Sequence, residues 1–149
     1  MVITGKVKWA CVHSPNTKYE PCWVIDVILD KETQQALKEA GLGERIREKD
    51  GDTIIQIKRR VERRDGSGKE NFPPKVIDMY HNPFEAPIGN GSVCNVQFQI
   101  WDSTNKFGAF KGTDLQAVQV VEHVAYGGEE ELPRLKDESQ PMKDMENPF

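Results

Sequence analysis

Residues 92–101 alternate strictly, with Cys94, Val96, Phe98 and Ile100 on one side and Asn95, Gln97, Gln99 and Trp101 on the other. A period of two is the mark of a strand with one buried face, and such a face requires neighbouring strands to complete it. The neighbours can be read along the chain. Residues 2–12 form a strand with Ile3, Val7, Trp9 and Cys11 on one face and Thr4, Lys6 and Lys8 on the other. Residues 23–29 are apolar enough to be buried on most of both sides. Residues 53–64 are β-branched at Thr53, Ile54, Ile55, Ile57 and Val61, which suits a long strand. Residues 76–80 and 115–126 complete the set.

Turn chemistry separates these runs. Residues 13–22 form a loop with Ser14-Pro15-Asn16 as its turn, and Asp50-Gly51-Asp52, Asp65-Gly66-Ser67-Gly68 and Ser103-Thr104-Asn105 do the same elsewhere. Residues 81–91 and the Gly-punctuated stretch 107–112 read as connectors. One helix is expected. Asp30 is its N-cap, 31–40 supply helix formers, and Gly41 and Gly43 offer stops. Strands do not alternate with helices, so a parallel sheet is disfavoured. A small, partly closed antiparallel barrel is the expected body.

Charge divides the chain at residue 127. Residues 127–149 carry Glu129, Glu130, Glu131, Asp137, Glu138, Asp144 and Glu146 against Arg134, Lys136 and Lys143, which accounts for the whole net charge of −4. Residues 1–126 balance at 17 bases and 17 acids. With three prolines and few bulky apolar residues, 127–149 read as a disordered arm beyond a folded unit of 1–126. No apolar run reaches the roughly 18 residues of a membrane span. The first residues enter a strand directly, unlike a signal peptide. Cys11, Cys22 and Cys94 are odd in number and far apart, as for reduced thiols in a cytosolic setting.

Lys58-Arg59-Arg60-Val61-Glu62-Arg63-Arg64 holds five bases and one acid. On a strand, Lys58, Arg60 and Arg64 share one face and Arg59 and Arg63 the other. Either this is an exposed arm kept in solution by charge, or its cations contact phosphates along a groove. Aromatic residues bear on that choice. Trp101 falls on the polar face beside Gln97 and Gln99, where an indole would stack on bases, unless strand twist returns it to the core. Trp9 and Trp23 sit among apolar neighbours and are expected in the core. Tyr19 lies in a loop beside Lys18. Phe107 and Phe110 interleave with Lys106 and Lys111, as suits either a single nucleic-acid strand or a plain hairpin tip.

Catalytic patterns are sparse. His13, His81 and His123 lack metal-ligand spacing, no CxxC occurs, and neither a phosphate-binding glycine loop nor a nucleophile elbow is present. Glu20, Asp26 and Asp30 are the one set of acids that could hold Mg²⁺ in a nuclease- or resolvase-like site, although a strand-edge acid and a helix cap are the plainer reading of Asp26 and Asp30.

The chain ends in Asn147-Pro148-Phe149, after Asp144 and Glu146. A partner pocket could take the Phe149 ring while its cationic rim takes the carboxylates. This end is similar to the acidic, Pro-Phe-ended tips of bacterial single-stranded DNA-binding proteins. The body resembles the tailed-phage branch of that function, on residues 8–19, 23–30 and 90–96, the last leading into 115–121. The resemblance implies an OB fold, a five-stranded Greek-key barrel with extra hairpins and one short helix, followed by a disordered acidic tail. It implies sequence-independent binding and protection of single-stranded DNA during replication, recombination and repair, in the cytoplasm of an infected bacterial host, without catalysis, cofactor, metal or membrane.

On that reading Lys58, Arg60 and Arg64 meet phosphates, with Lys8, Lys18 and Lys111 as further contacts, and Tyr19, Trp101 and Phe107 stack on bases. Asp144, Glu146, Pro148 and Phe149 recruit polymerase, helicase-primase or nuclease, and the tail competes for its own groove. Some such proteins form homodimers. A protein-binding OB module and the Mg²⁺ nuclease are the rival expectations.

Overall fold

The structure, a computed structural model, describes residues 1–18, 20–63 and 66–125. Its strands are β1 (Val2–Asn16), β2 (Cys22–Ile28), β3 (Ile46–Lys49), β4 (Asp52–Arg60), β5 (Lys75–Ile77), β6 (Val93–Asn105) and β7 (Gly108–Glu122). A helix, α1 (Lys31–Glu39), connects β2 to a short 3-10 turn and β3. The strands form one sheet in the order β3-β4-β2-β1-β6-β7-β5.

β1 belongs to two ladders. Val2–Lys6 pair with β6, and from Val7 onward the strand pairs with β2. The sheet therefore turns a corner along β1. Gly5 sits at that corner, where a Cβ would lie 2.5 Å from the Ile28 carbonyl oxygen. The five long strands run β4-β2-β1-β6-β7, which is the Greek-key order of a partly open OB barrel with β4 and β7 at the seam. Every ladder is antiparallel except that of β5 with β7.

The core fills the space the corner creates. Trp23, Ile25 and Val27 of β2 meet Ile55 and Ile57 of β4, Val96 and Phe98 of β6, and Leu115 and Val118 of β7. The expected inward row on β6 is present: Cys94, Val96 and Phe98 are fully buried. Helix α1 covers one end of the barrel. The Asp30 carboxylate accepts the Thr33 N–H at 2.7 Å, and these hydrogen bonds hold Asp30 below its ordinary pKa. Leu37 enters the core, and the Leu42 N–H closes the helix on the Leu37 carbonyl at 2.9 Å.

Three expectations are corrected. Trp9 is not a core residue but 52% exposed. The register of β1 against β2 shifts between Lys8 and Cys11, and Trp9 has φ 53. A bulge of this kind uses one extra residue and inverts the alternation beyond it, so Val12 is buried instead of its neighbours. Residues 13–16 are strand, not loop, and 108–112 belong to β7 rather than to a connector. β3 was not expected at all; it pairs Ile46 with Ile55 on the edge of the sheet. Among the described residues no helix is long and apolar enough to cross a membrane.

Candidate nucleic-acid interface

An open cleft of about 480 Å³ lies at the seam, between the end of β4 and the hairpin of β6 and β7. Lys58, Arg59, Arg60 and Arg63 line one side; Trp101 lines the other. The buried row Ile55, Ile57 continues into Arg59, which points into the mouth of the barrel. There Arg59 Nη1 donates to Asp114 Oδ2 at 2.7 Å and its Nε to the Phe72 carbonyl at 2.9 Å. Lys58 and Arg60 stand on the opposite parity. Arg60 pairs with Glu20, from the segment joining β1 to β2. The Arg60 Nε atom is buried with no acceptor among the described residues. Among those residues Lys58 and Arg63 have no ion-pair partner. Glu62 bridges to Glu70 next to the cleft, and Asn71 Nδ2 donates to the Arg60 carbonyl at 2.8 Å.

Trp101 is half-buried and lies across Gly112, where a Cβ would come within 2.1 Å of its ring. Phe110 meets it edge-on, with centroids 6.0 Å apart. The indole is therefore held in one orientation at the cleft wall, neither lost in the core nor standing in solvent. Beyond it the hairpin projects to Phe107, which is 86% exposed with Lys106 Nζ 5.1 Å from its ring centroid. Arg45 ties the hairpin down by donating from Nε to the Lys111 carbonyl at 2.9 Å.

The structure gathers only part of the site expected from the sequence. Lys58, Arg60 and Trp101 share the cleft. Phe107 is at the hairpin tip. Lys111 faces a neighbouring depression with Arg45 and Arg47, where it pairs with Asp102. Lys8 pairs with Asp52 at 3.0 Å, on another part of β1. Lys18 follows β1, its N–H donating to Asn16 Oδ1 at 2.9 Å. Tyr19, Arg64, Asp144, Glu146, Pro148 and Phe149 lie outside the described residues. Arg59, Arg63 and Asp114 are additions. Strand parity does put Arg59 opposite Lys58 and Arg60, but that face opens at the barrel mouth, and Arg63 follows once β4 has ended at Arg60. The dense run of bases was the signal that could have found the two arginines.

The three acids of the nuclease reading are not brought together. Asp26 is buried and bound by Lys49 at 2.9 Å and Gln56 at 3.3 Å. Asp30 caps α1 and Glu20 pairs with Arg60. Among the described residues no three His, Cys, Asp or Glu side chains are placed to hold a metal ion.

No family model matches the sequence, and no curated protein does. Solved structures do match. The chain is similar to the single-stranded DNA-binding protein gp2.5 encoded by bacteriophage T7, at 21% identity and TM-score 0.60 over 86% of this chain and 90% of that one. It is also similar to the single-stranded DNA-binding protein from bacteriophage Enc34, solved in complex with single-stranded DNA, at 17% identity and TM-score 0.58 over 84% of this chain and 88% of that one. The C-terminally truncated Enc34 protein matches at TM-score 0.57 and 17% identity, again over 84% and 88%. The chain thus has the fold of phage single-stranded DNA-binding proteins.

Proposed function

We infer that this chain binds single-stranded DNA without sequence preference and catalyses no reaction. One observation carries the reading: cationic side chains at the end of β4 face an oriented indole across an open cleft. Cations on phosphates supply affinity that is blind to sequence. An aromatic face accepts any base. The phage proteins that share the fold are named for the same activity. Lys58, Arg60 and Arg63 serve the phosphates, joined by Arg64 and Lys18 from the flanking segments. Trp101 stacks on a base, with Phe107 and Tyr19 as further rings. Lys8 and Lys111 do not line the cleft, and they contribute through the field rather than by direct contact.

Residues 1–126 are the DNA-binding unit in this reading, and 127–149 an acidic arm that competes for the cleft at low salt. Asp144, Glu146, Pro148 and Phe149 are offered to replication, recombination and repair proteins, and the DNA is protected meanwhile, in the cytoplasm of an infected host. The deciding experiment is a titration with oligo-dT, followed by tryptophan fluorescence over a range of salt. Quenching whose midpoint rises steeply with salt supports the function. A fluorescence signal unmoved by oligo-dT even in dilute buffer refutes it.

A further inference from the structure

A second concavity, of about 550 Å³, lies on the outer face of β1 and β2, walled by Trp9, Cys11, Val24, Asp26, Lys49 and Asn90 among others. Trp9 stands out within it. Its φ of 53 lies in the left-handed region, which a bulky residue occupies only where its surroundings hold it. The holding group is Asn90, whose side-chain oxygen accepts the Trp9 N–H at 2.9 Å. The loop bearing Asn90 is itself fixed to β1, through Gly91 N–H to the Val7 carbonyl at 2.9 Å and Val7 N–H to the Ser92 carbonyl at 2.8 Å. The outcome is a large indole kept half in solvent at the surface of the sheet, where it adds nothing to the core.

The sheet register connects this concavity to the first cleft. Cys11 lies opposite Val24, and Val24 opposite Lys58; Asn16 lies opposite Cys22, and Cys22 opposite Arg60. Each row crosses two strand spacings, about 10 Å. Lys58 therefore ends a row that begins at Cys11, two residues from Trp9, and Arg60 ends one that begins at Asn16, in the wall of the same concavity. In OB barrels oligonucleotides use the face of the second and third barrel strands, here β2 and β4, which lies between the two concavities.

The geometry points to a second base-stacking subsite at Trp9, reached by a single strand that leaves the first cleft past Lys58 and Arg60 and crosses β2 onto β1. This rests on the function proposed above. Charge decides what the subsite takes. Lys49 is held by Asp26 at 2.9 Å, and Glu85 stands at the rim, so no surplus of cations faces the ring. A base, not a phosphate, is the fitting occupant.

The test uses the full-length chain with oligo-dT of about 4 and about 12 nucleotides, which bracket short and long occupancy of one OB fold. Trp9→Ala weakens the longer oligonucleotide by about 5- to 150-fold, the range of one lost base stack, and leaves the shorter one and the salt slope unchanged. Lys58→Ala instead lowers the salt slope by about one. Trp9→Phe keeps most of the affinity, which separates stacking from damage to the fold. A Trp101→Phe chain, whose remaining indoles are Trp9 and the buried Trp23, is quenched by the longer oligonucleotide. If Trp9→Ala binds the longer oligonucleotide like the unaltered chain while Trp101→Ala loses affinity, the subsite is overturned and DNA binding stands. If the unaltered chain binds neither length, both fall together.

Discussion

Arg59 of β4 and Asp114 of β7 bridge the two strands that the sheet order leaves apart, through a 2.7 Å hydrogen bond between ions that are 17% and 32% exposed. The pair is a latch on the seam of the barrel, and it sits in the wall of the proposed DNA cleft. An arginine there is easily read as a phosphate contact. Its partners say otherwise: with Asp114 and the Phe72 carbonyl it already holds a carboxylate and a backbone acceptor.

Asp114→Ala leaves Arg59 half-buried without its counter-ion. The loss is about 1–3 kcal/mol, between an exposed pair and a buried charged hydrogen bond. Urea unfolding followed by circular dichroism measures it, and a double-mutant cycle with Arg59→Ala isolates the pairwise part. A change below a few tenths of a kcal/mol would remove the latch from the account.

Glu20 restrains Arg60. Glu20→Gln keeps the size of the side chain and removes the charge, so Arg60 turns more readily to a phosphate. Affinity for oligo-dT at low salt rises by up to about fivefold, the scale of a partly exposed pair, and the gain shrinks as salt is added. Weaker binding would mean that the pair positions Arg60 rather than restraining it.

Gly112 makes room for Trp101, since a Cβ would overlap the ring at 2.1 Å. Gly112→Ala tilts the indole off the cleft wall. Its emission shifts to the red, and oligo-dT affinity falls by about 1–3 kcal/mol, the worth of one stacked base. Unaltered emission and affinity would show that the ring does not depend on this bare position.

Burial pushes the Cys94 thiol up to about 12. The unfolded chain has an ordinary thiol near 8.5. A folded value above the unfolded one means that this contribution to stability is complete below about pH 8.5 and is lost as pH climbs toward the folded value. Cys94 therefore resists alkylation at about pH 8 until the chain unfolds, whereas Cys11 and Cys22 are partly accessible. Mass spectrometry after timed iodoacetamide treatment reads the difference, and early labelling of Cys94 would contradict its burial.

Deleting 127–149 removes a net −4. Oligo-dT affinity at low salt should rise and converge with that of the full chain as salt is added. Deleting Phe149 alone should leave DNA affinity unchanged and abolish capture of replication proteins from host lysate. An affinity indifferent to the longer deletion would dispose of the competition.

Much of the barrel could be read from local pattern, because local chemistry decides it. Asp30 caps α1 since its short carboxylate reaches the N–H three residues on, and Cys94, Val96 and Phe98 turn inward since this part of β6 has one buried face. Other features depend on partners that a single strand does not contain. Trp9 has the same parity as Val7, and only the register against β2 reveals the extra residue that turns it outward. β3 carries one apolar residue, Ile46, too few to mark a strand that gains its place by edge pairing with β4. The base run at 58–64 announced a cationic surface but not its division of labour. That Arg59 serves the seam follows from Asp114, 55 residues further along the chain.

The bulge at Trp9 also separates two kinds of heredity. On an ordinary strand, whatever replaces an inward side chain must satisfy the barrel before it can satisfy a ligand. Position 9 has been lifted out of that alternation, with Val7 and Val12 filling the interior on either side of it. A ring, an amide or a cation can stand there without disturbing the interior, so what the surface offers at this position is independent of what the scaffold requires. Loss of the extra residue would be another matter, because it would turn the rest of β1 inside out.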